Sequence, residues 1–343
     1  MRRQSTDTMK IGVILHPGTG ATSKVRWALW AGLFALNAVV GFGGTAPKPD
    51  PYLFVYFVGQ GQDGLHLAWS ADGDHWRALN GGRACLPPEI GGDRLMRDPC
   101  VAQGPDGVYH LVWTTGWWDR EIGTASTRDF LKWTPERAIP VMAKEAKARN
   151  CWAPEAYWDA TRSRFLIYWA TTIPGRFPAT DGSSEHGLNH RIYCTTTKDW
   201  VHFAPTRLFS DPGFSVIDAT MIEDEKGIFH MIAKDETVHP VVKRLRMATA
   251  ADPEGPWTTF QAPFTRAWVE GPTAIRVGDD TVVYYDEYRE KRYGAVRSRD
   301  LVHWQDITAQ ISVPAGARHG TMIRVPWSVV DRLQAALPGP AAK

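Results

Sequence analysis

The chain has 343 residues, of which 43% are hydrophobic and 22% charged, and its formal net charge is +2. This composition excludes a disordered chain and allows a large core. The small net charge argues against nucleic acid or an acidic membrane surface as a partner, so none is expected. Sixteen Trp and 24 Pro residues favour a protein of strands and loops with an aromatic-lined site.

The first 46 residues have the layout of a secretory signal. Lys24 and Arg26 precede the uncharged stretch WALWAGLFALNAVVGFG, and Gly-Thr-Ala then leads to Pro47. The layout predicts cleavage after Ala46 and a secreted or periplasmic protein, with Met9 as an alternative start. An uncleaved anchor is the other interpretation, because the stretch is just long enough to span a bilayer. No later segment could do so, and no membrane association is expected after cleavage.

The four cysteines, Cys85, Cys100, Cys151 and Cys194, are well separated and contain no Cys-x-x-Cys spacing. An exported protein could pair them, and the spacing does not choose among the connectivities. Buried free thiols are the alternative.

A phrase made of a small residue, a Ser/Thr-x-Asp turn and an aromatic anchor recurs in four close copies and one looser copy, which ends at Trp257. The copies end at Trp76, Trp133, Phe203, Trp257 and Trp304, and each follows an apolar run such as YHLVWTTG or RFLIYWATT. Alternation and turn residues predict strands rather than helices in these runs. Each repeat is about the length of one four-stranded blade, so the pattern predicts an all-β, five-bladed β-propeller.

The two ends of the repeat array predict how the ring closes. Residues 52–70 supply the middle strands of a first blade, but no innermost strand precedes them. RHGTMIRV follows the last phrase as a strand without a blade, so we expect residues 318–325 to complete the first blade. The propeller is assigned to residues 47–330 and a C-terminal tail to residues 331–343. An open β-sandwich would explain neither the five copies nor the last strand.

Five further motifs recur where the innermost strand of each blade should begin. They are RDPCV, WAPEAY, VIDATMI, VEGPTAI and RHGTMI, and they carry Asp98, Glu155, Asp218, Glu270 and His319. Innermost strands converge on the central channel, so these side chains are expected to meet at one mouth of it. Gathering acids in one place costs desolvation free energy, which indicates a functional site.

In this order along a five-bladed propeller, RDP, WAPE, IDA, EGP and RHG resemble glycoside hydrolase family 43 over residues 50–326. The sequences RNCWAPE, YWATTIPG and WVEGPTAI are similar to those of a branch that contains β-galactofuranosidases and related arabinofuranosidases. The resemblance implies an inverting glycosidase that releases β-D-galactofuranose or, next, α-L-arabinofuranose. The expected partner is a carbohydrate, and the chain is expected to be a monomer. A retaining fructan-processing hydrolase and a non-catalytic sugar-binding propeller are the alternatives.

The resemblance also implies roles for the carboxyl groups. Asp98 matches a general base that activates water, and Glu270 matches the general acid. Asp218 matches a third carboxylate that orients the acid and raises its pKa, because a nearby like charge holds a proton on Glu270. Inversion calls for about 6.5–9.5 Å between the two catalytic carboxyls.

His319 matches a channel histidine that holds a calcium ion or a water cluster in many family members. Calcium prefers oxygen ligands, so His319 would be one ligand among waters, and a hydrogen-bonding spacer is the alternative. No cofactor is expected to be required.

The remaining candidates concern sugar binding. Trp117, Trp152 and Trp268 are expected to wall the sugar subsite or else to pack between blades, and Glu155 is expected to face the same pocket. A sugar hydroxyl could be bound by His190 and Arg191 in LNHRIYC or by Arg292, with a surface charge as the alternative. The polar insertion over residues 171–190 is expected to overhang the pocket and so favour attack at chain ends, unless it is a plain surface loop.

Overall fold

The structure is a computed structural model that describes residues 48–337. In this range the chain forms five antiparallel sheets, each with three or four strands. The expected signal at residues 1–46 lies outside the described residues, as do residues 338–343 of the expected tail. The sheets confirm the all-β, five-bladed propeller that the repeats predict.

The strands follow one another along the chain in five groups, which are called blades I to V. In chain order they are β1 (Tyr52–Val58), β2 (His66–Ser70) and β3 (Arg77–Ala78) of blade I, β4 (Arg97–Gln103), β5 (Tyr109–Thr114), β6 (Ile122–Thr127) and β7 (Arg137–Ile139) of blade II, β8 (Trp152–Asp159), β9 (Arg164–Thr172), β10 (His190–Thr197) and β11 (Arg207–Ser210) of blade III, β12 (Val216–Glu223), β13 (Phe229–Asp235) and β14 (Arg244–Ala250) of blade IV, β15 (Glu270–Val277), β16 (Asp280–Glu287), β17 (Arg292–Ser298) and β18 (Gln305–Asp306) of blade V, and β19 (Ala317–Arg324).

The last strand closes the ring. β19 pairs antiparallel with β1 and becomes the innermost strand of blade I, with Tyr52 opposite Arg324 and Val58 opposite Ala317. This confirms the expected closure by residues 318–325. The five innermost strands contact one another in cyclic order, β4 to β8, β12, β15, β19 and back to β4, so their first residues surround one channel.

The core lies between the blades rather than inside a single layer. Five clusters of buried apolar residues each join two adjacent blades. One of them contains Leu53 and Val55 of blade I together with Val101 and Leu111 of blade II. Both faces of each sheet are therefore buried, which explains the long apolar runs in the sequence.

The recurring phrase forms the turn after the third strand of a blade. In blade II, Thr127 accepts hydrogen bonds from the backbone N–H groups of Asp129 and Phe130, while Asp129 caps the next two N–H groups. Ser298 and Asp300 repeat the arrangement in blade V. A hydroxyl and a carboxylate thus satisfy the backbone donors of a tight turn.

Blade IV differs from the others because it has three strands. Thr258, Gln261 and Phe264 donate backbone hydrogen bonds of 2.9, 2.8 and 3.2 Å to carbonyls of β14. An irregular segment thus covers an edge that would otherwise offer unpaired backbone groups to another chain.

A helix that the sequence pattern did not indicate, α1 (Trp327–Ala336), follows the last strand. Its Val330 and Leu333 are buried in the cluster between blades I and II, and Trp327 donates a hydrogen bond of 2.8 Å to the carbonyl of Pro49. No helix within residues 48–337 has the length and apolar character needed to cross a membrane. All four cysteines are free thiols, and three of them are buried.

Candidate active site

Each innermost strand begins with a β-bulge. The pairing with the second strand shifts between Arg97 and Cys100 in β4, and the same shift occurs at the start of β8, β12, β15 and β19. At the bulge the backbone of Asp98 and Asp218 is left-handed, with φ of 50° and 52°. A bulge redirects side chains, and here it directs them toward the channel.

Relative to the bulges, the five motif residues lie at three different positions along their strands. Asp98, Asp218 and His319 share the first bulge position. Glu270 lies one residue earlier, at the level of Arg97 and Arg318, whereas Glu155 lies two residues later, among threonines. The expectation that all five meet in one ring was therefore wrong for Glu155.

A cavity of about 220 Å³ lies at this mouth of the channel. Asp98, Asp218, Glu270 and His319 all line it, as the sequence predicted, together with Trp117 and Trp152. Four lining residues had not been predicted, namely Gln60, Arg97, Ile217 and Arg318. Arg97 and Arg318 directly precede the motif residues Asp98 and His319, so the repeat itself could have indicated them.

A larger cavity of about 750 Å³ lies between the outer strands of blades II and III. Its lining is largely apolar and contains a single carboxylate, that of Glu145. Acid–base chemistry on a glycosidic bond needs two carboxyl groups, so the smaller cavity is the candidate active site.

Asp98 is held as a carboxylate. Its Oδ2 accepts a hydrogen bond of 2.9 Å from the hydroxyl of Thr114, and its Oδ1 lies 3.3 Å from Nδ1 of His319. Burial alone would raise the pKa of Asp98, but the hydrogen bond and charge of His319, with the charge of Arg97, lower it well below its usual range. The group can therefore accept a proton at neutral pH.

His319 is the positive centre among these acids. Burial alone would lower the pKa of its imidazole, but the carboxylates of Asp218 and Asp98 raise it to about 9. The ring therefore carries a proton at neutral pH. Its Nδ1 lies 4.0 Å from Oδ2 of Asp218.

Asp218 holds its proton more tightly than an ordinary aspartate. Burial raises its pKa to about 6, and the negative charges of Glu270 and Asp98 act in the same direction. Its Oδ2 accepts a hydrogen bond of 3.0 Å from the backbone N–H of Gly271, directly after Glu270.

Glu270 lies between two cations. Its Oε2 accepts a hydrogen bond of 2.9 Å from Nζ of Lys234, and its Oε1 accepts one of 2.8 Å from Arg318. Burial would raise the pKa of Glu270, but the charges of Lys234 and Arg318 lower it. The expectation of a raised pKa here was wrong, because two directly bonded cations outweigh the like charge of Asp218.

In three blades the second strand also contributes a side chain to the surroundings of the site. Thr114, Lys234 and Asp286 pair with Arg97, Ile217 and Glu270 across the strands, at the residue before each bulge. Each of the three side chains reaches the next blade, where it contacts the backbone of Ala153, the carboxylate of Glu270 and the guanidinium of Arg318 respectively. They had not been predicted, although the blade period places them at equivalent positions.

Two tryptophans form one wall of the cavity. The indole N–H of Trp152 donates a hydrogen bond of 2.9 Å to the carbonyl of Trp117, and the rings meet edge to face with centroids 5.8 Å apart. Arg97 stacks on Trp117, and the unpredicted Trp118 lies next to Trp152 and is 55% exposed. Exposed indole faces beside a cavity suit contact with a sugar ring.

His190 and Arg191 do not reach the cavity. His190 is fully buried behind Trp152, and burial lowers its pKa to about 4. The guanidinium of Arg191 is buried and donates hydrogen bonds to Asn189 and Thr180, with an ion pair to Asp211. Arg191 therefore anchors the insertion rather than a ligand.

Trp268 and Arg292 also lie away from the cavity. The ring of Trp268 is covered by the guanidinium of Arg289, whose central carbon lies 3.0 Å from the ring centroid. Arg292 is half-exposed and pairs with Glu287 at 2.5 Å. Trp268 therefore takes the packing alternative, and Arg292 takes the surface-charge alternative.

Glu155 lines a second cavity, of about 290 Å³, further along the channel. Its carboxylate accepts hydrogen bonds from Thr220 at 3.0 Å and from Tyr168 at 3.4 Å. Burial raises its pKa to about 7. WAPE thus contributes Trp152 rather than Glu155 to the candidate active site.

A calcium ion held by His319 among waters, as the resemblance implies, stays a prediction. Within residues 48–337 no group of three or more His, Cys, Asp or Glu side chains is arranged to hold a metal ion. A metal ligand must be a neutral imidazole, whereas the carboxylates of Asp218 and Asp98 favour the protonated ring of His319 in the metal-free site.

The insertion docks on blade IV and does not line the 220 Å³ cavity. Glu185 pairs with Lys243 at 2.9 Å, and the backbone N–H of Val238 donates a hydrogen bond of 2.7 Å to Ser183. A further ion pair joins Arg176 to Glu145. The insertion is thus fixed at several points along its length.

Two solved structures are similar to this chain over part of its length. An α-L-arabinofuranosidase from Lactobacillus brevis is 18% identical with a TM-score of 0.45, covering 62% of this chain and 72% of that one. A family 43 β-1,3-galactosidase with galactodeoxynojirimycin is 12% identical with a TM-score of 0.50, covering 64% and 78%. At 12% identity the likeness to this second structure shows the fold alone.

Sequence comparisons bear on the family of the chain. An α-L-arabinofuranosidase of Bifidobacterium longum subsp. longum is 25% identical over 224 residues, which are 56% of this chain and 20% of that protein. The chain thus spans about one fifth of that relative's length. A family 43-related model described as "Probable glycosyl hydrolase domain" matches residues 49–328. Because that match covers most of the chain and all of the site, the chain belongs to this family 43-related group of glycosyl hydrolase domains.

Proposed function

We propose that the protein is an exo-acting, inverting hydrolase of terminal furanosides, with β-D-galactofuranosides favoured and α-L-arabinofuranosides next. The observation that carries this proposal is the convergence of Asp98, Asp218 and Glu270 on one cavity of about 220 Å³. An inverting reaction needs one carboxyl group to activate water and another to protonate the leaving oxygen.

Asp98 is the general base of this proposal. The proton of His319 and the hydroxyl of Thr114 keep its carboxylate ionised and oriented. A water between Asp98 and the anomeric carbon would give its proton to Asp98 while its oxygen forms the new bond to carbon.

Glu270 is the general acid, and it must first gain a proton. Lys234 and Arg318 keep it ionised in the free site, but a bound sugar displaces water, which raises the pKa of a buried carboxyl. Asp218, with a pKa raised to about 6, is the nearby proton store. The proton that Glu270 received from Asp218 then goes to the leaving oxygen as the glycosidic bond breaks. Solvent afterwards takes the proton from Asp98 and returns one to Asp218.

The size of the cavity supports attack at chain ends. Its 220 Å³ lies below the roughly 300–1,000 Å³ of pockets for drug-sized ligands, which suits a single sugar residue. Trp117 and Trp152 offer their rings to that residue, while Arg97 and Gln60 offer polar groups to its hydroxyls.

The choice of sugar rests on the sequences of the motifs and on the relative named α-L-arabinofuranosidase. The test is a panel of nitrophenyl β-galactofuranoside, α-L-arabinofuranoside and β-xyloside, with the first-formed anomer followed by NMR. We expect turnover of the furanosides and inversion. A retained anomer, or turnover of the xyloside alone, would overturn the proposal.

Export belongs to the same proposal. The basic, apolar and small-residue layout before Pro47 supports removal of residues 1–46 and a secreted or periplasmic enzyme. Mass spectrometry of the protein from its native host should find a chain that begins near residue 47. An intact N-terminal segment on soluble cytoplasmic protein would contradict it.

A further inference from the structure

A continuous chain of alternating charges leads from the insertion to Glu270. Oε2 of Glu185 lies 2.9 Å from Nζ of Lys243, which lies 2.8 Å from Oε2 of Glu236. Oε1 of Glu236 lies 2.7 Å from Nζ of Lys234, which lies 2.9 Å from Oε2 of Glu270. Five side chains from the insertion and from blades IV and V therefore form one network, which we call the charge chain.

The inner members of the charge chain are sealed from water. The side chains of Lys234 and Lys243 are 3% and 1% exposed, whereas Glu185 at the outer end is 46% exposed. A buried ammonium group without a partner is strongly destabilising, so each lysine depends on its two carboxylates. A carboxylate that loses one cation in such a chain must bind the other more closely.

We propose that Lys234 is a positioning residue for Glu270, and that the charge chain couples the docking of the 171–190 insertion to the general acid. The proposal rests on the proposed function only where it names Glu270 as the acid. In this proposal Glu185 influences catalysis although it lies outside the cavity and is joined to Glu270 only through four successive ion pairs.

The direction of the coupling follows from the sharing of partners. When Glu185 holds Lys243, Glu236 is free to satisfy Lys234, and Lys234 binds Glu270 less tightly. When Glu185 leaves, Lys243 draws Glu236 away, and Lys234 turns to Glu270 and stabilises its ionised form. Docking of the insertion thus favours the protonated form of Glu270 that proton donation needs.

Besides Glu236 of the charge chain, charged or titratable groups from four neighbouring strands face Glu270. They are Lys234 from β13, Asp218 from β12, Asp286 from β16, Arg318 and His319 from β19, and Tyr288 after β16. Among these, Lys234 alone links Glu270 to the insertion, since Arg318 ends on Asp286.

The first test is the alkaline limb of the pH profile of kcat/KM. Lys234→Met should move it to higher pH by about 1 unit, because a directly bonded cation is removed, while Lys234→Arg should leave it in place. Glu236→Gln should move it to lower pH, and Glu185→Gln should do the same by a smaller amount. Opposite shifts from neighbouring sites would not arise from a merely structural role.

Glu145→Gln is the matched control. Glu145 also pairs with the insertion, through Arg176, but lies outside the charge chain. The alkaline limb of the kcat/KM profile of Glu145→Gln should therefore stay at the wild-type pH. Glu185 is largely exposed, so its variant should fold even where Lys234→Met does not. An unchanged limb in Glu185→Gln and Glu236→Gln, in an active enzyme, would overturn the proposal.

The second test needs no substrate. Since coupling is reciprocal, Glu270→Gln should slow amide hydrogen exchange over residues 178–189, because Lys234 turns to Glu236 and frees Lys243 for Glu185. Glu185→Gln should speed it. Equal exchange in both variants and wild type would refute the charge chain, whereas loss of the proposed furanosidase activity alone would refute only the proposed function.

Discussion

The backbone N–H of Gly271 donates a hydrogen bond of 3.0 Å to Oδ2 of Asp218, so the strand that carries Glu270 is tied to the acid of the preceding blade. Gly271 also packs against His319, because a Cβ at position 271 would lie 2.3 Å from Cγ of that ring. Three of the ionisable groups of the site therefore meet at one glycine.

Gly271→Ala should destabilise the protein by more than about 2 kcal/mol, because a left-handed residue with a side chain costs roughly 1–2 kcal/mol and the clash with His319 adds to it. Gly278→Ala is the matched control. Gly278 has φ of 59°, against 58° for Gly271, but open space around its Cβ. Urea denaturation should show the smaller loss for Gly278→Ala, and equal losses would show that His319 exerts no packing constraint.

The roles of the two catalytic carboxyls can be separated by leaving group. Glu270→Gln should reduce turnover of a natural disaccharide by about 10²–10⁴-fold, the usual contribution of proton transfer. It should cost much less with nitrophenyl furanosides, since nitrophenolate leaves without a proton. Steady-state kinetics on both substrates makes the comparison, and equal losses would show that Glu270 is not the acid.

Asp98→Asn should be severe with both kinds of leaving group, because water must be activated in either case. The amide keeps the size of the side chain while it removes the proton acceptor. A variant that retains turnover of the nitrophenyl substrate would show that another group activates the water.

Trp117→Ala should raise KM about tenfold, with little change in folding, because an exposed ring of the cavity wall is lost. Trp268→Ala should leave KM unchanged, since Trp268 lies under Arg289 and away from the cavity. Initial rates over a range of furanoside concentrations test the pair. An equal rise in both variants would show that the effect is not one of direct contact.

His319 should make stability fall as the pH rises. Its pKa is raised to about 9, so its contribution is fully present below the unfolded value of about 6.5 and is lost as pH rises through 9. The loss should be at most about 3 kcal/mol, from the size of the shift. The free energy of unfolding at pH 6 and pH 9 measures it.

His319→Gln should flatten this decline. His110→Gln is the control, because burial lowers the pKa of His110 to about 4 and its ring is neutral at both pH values. If the decline is the same in His319→Gln as in wild type, His319 is not the group that titrates.

The sequence indicated the blades because each repeat carries its own local signals. The Ser/Thr-x-Asp turns form by contacts within five residues, as at Thr127 and Asp129, and the apolar runs reflect sheets buried on both faces. Asp98, Asp218, Glu270 and His319 could be located because they recur at the blade period, three of them directly before Pro or Gly.

Three-dimensional structure decided the electrostatics of the site. Lys234 and Arg318 lie 36 and 48 residues from Glu270 along the chain, and neither motif nor period shows that both contact it. The direction of a pKa shift depends on which charges lie within a few ångströms, and this is fixed only when the blades pack.

The sequence by itself therefore determined the number of blades, the closing strand and four groups of the site, since these follow from local and repeated patterns. Only the tertiary structure decided that Glu155 faces another part of the channel and that Arg191 anchors the insertion. A one-residue bulge changes which side chains reach the cavity, and the sequence does not show at which residue the pairing shifts.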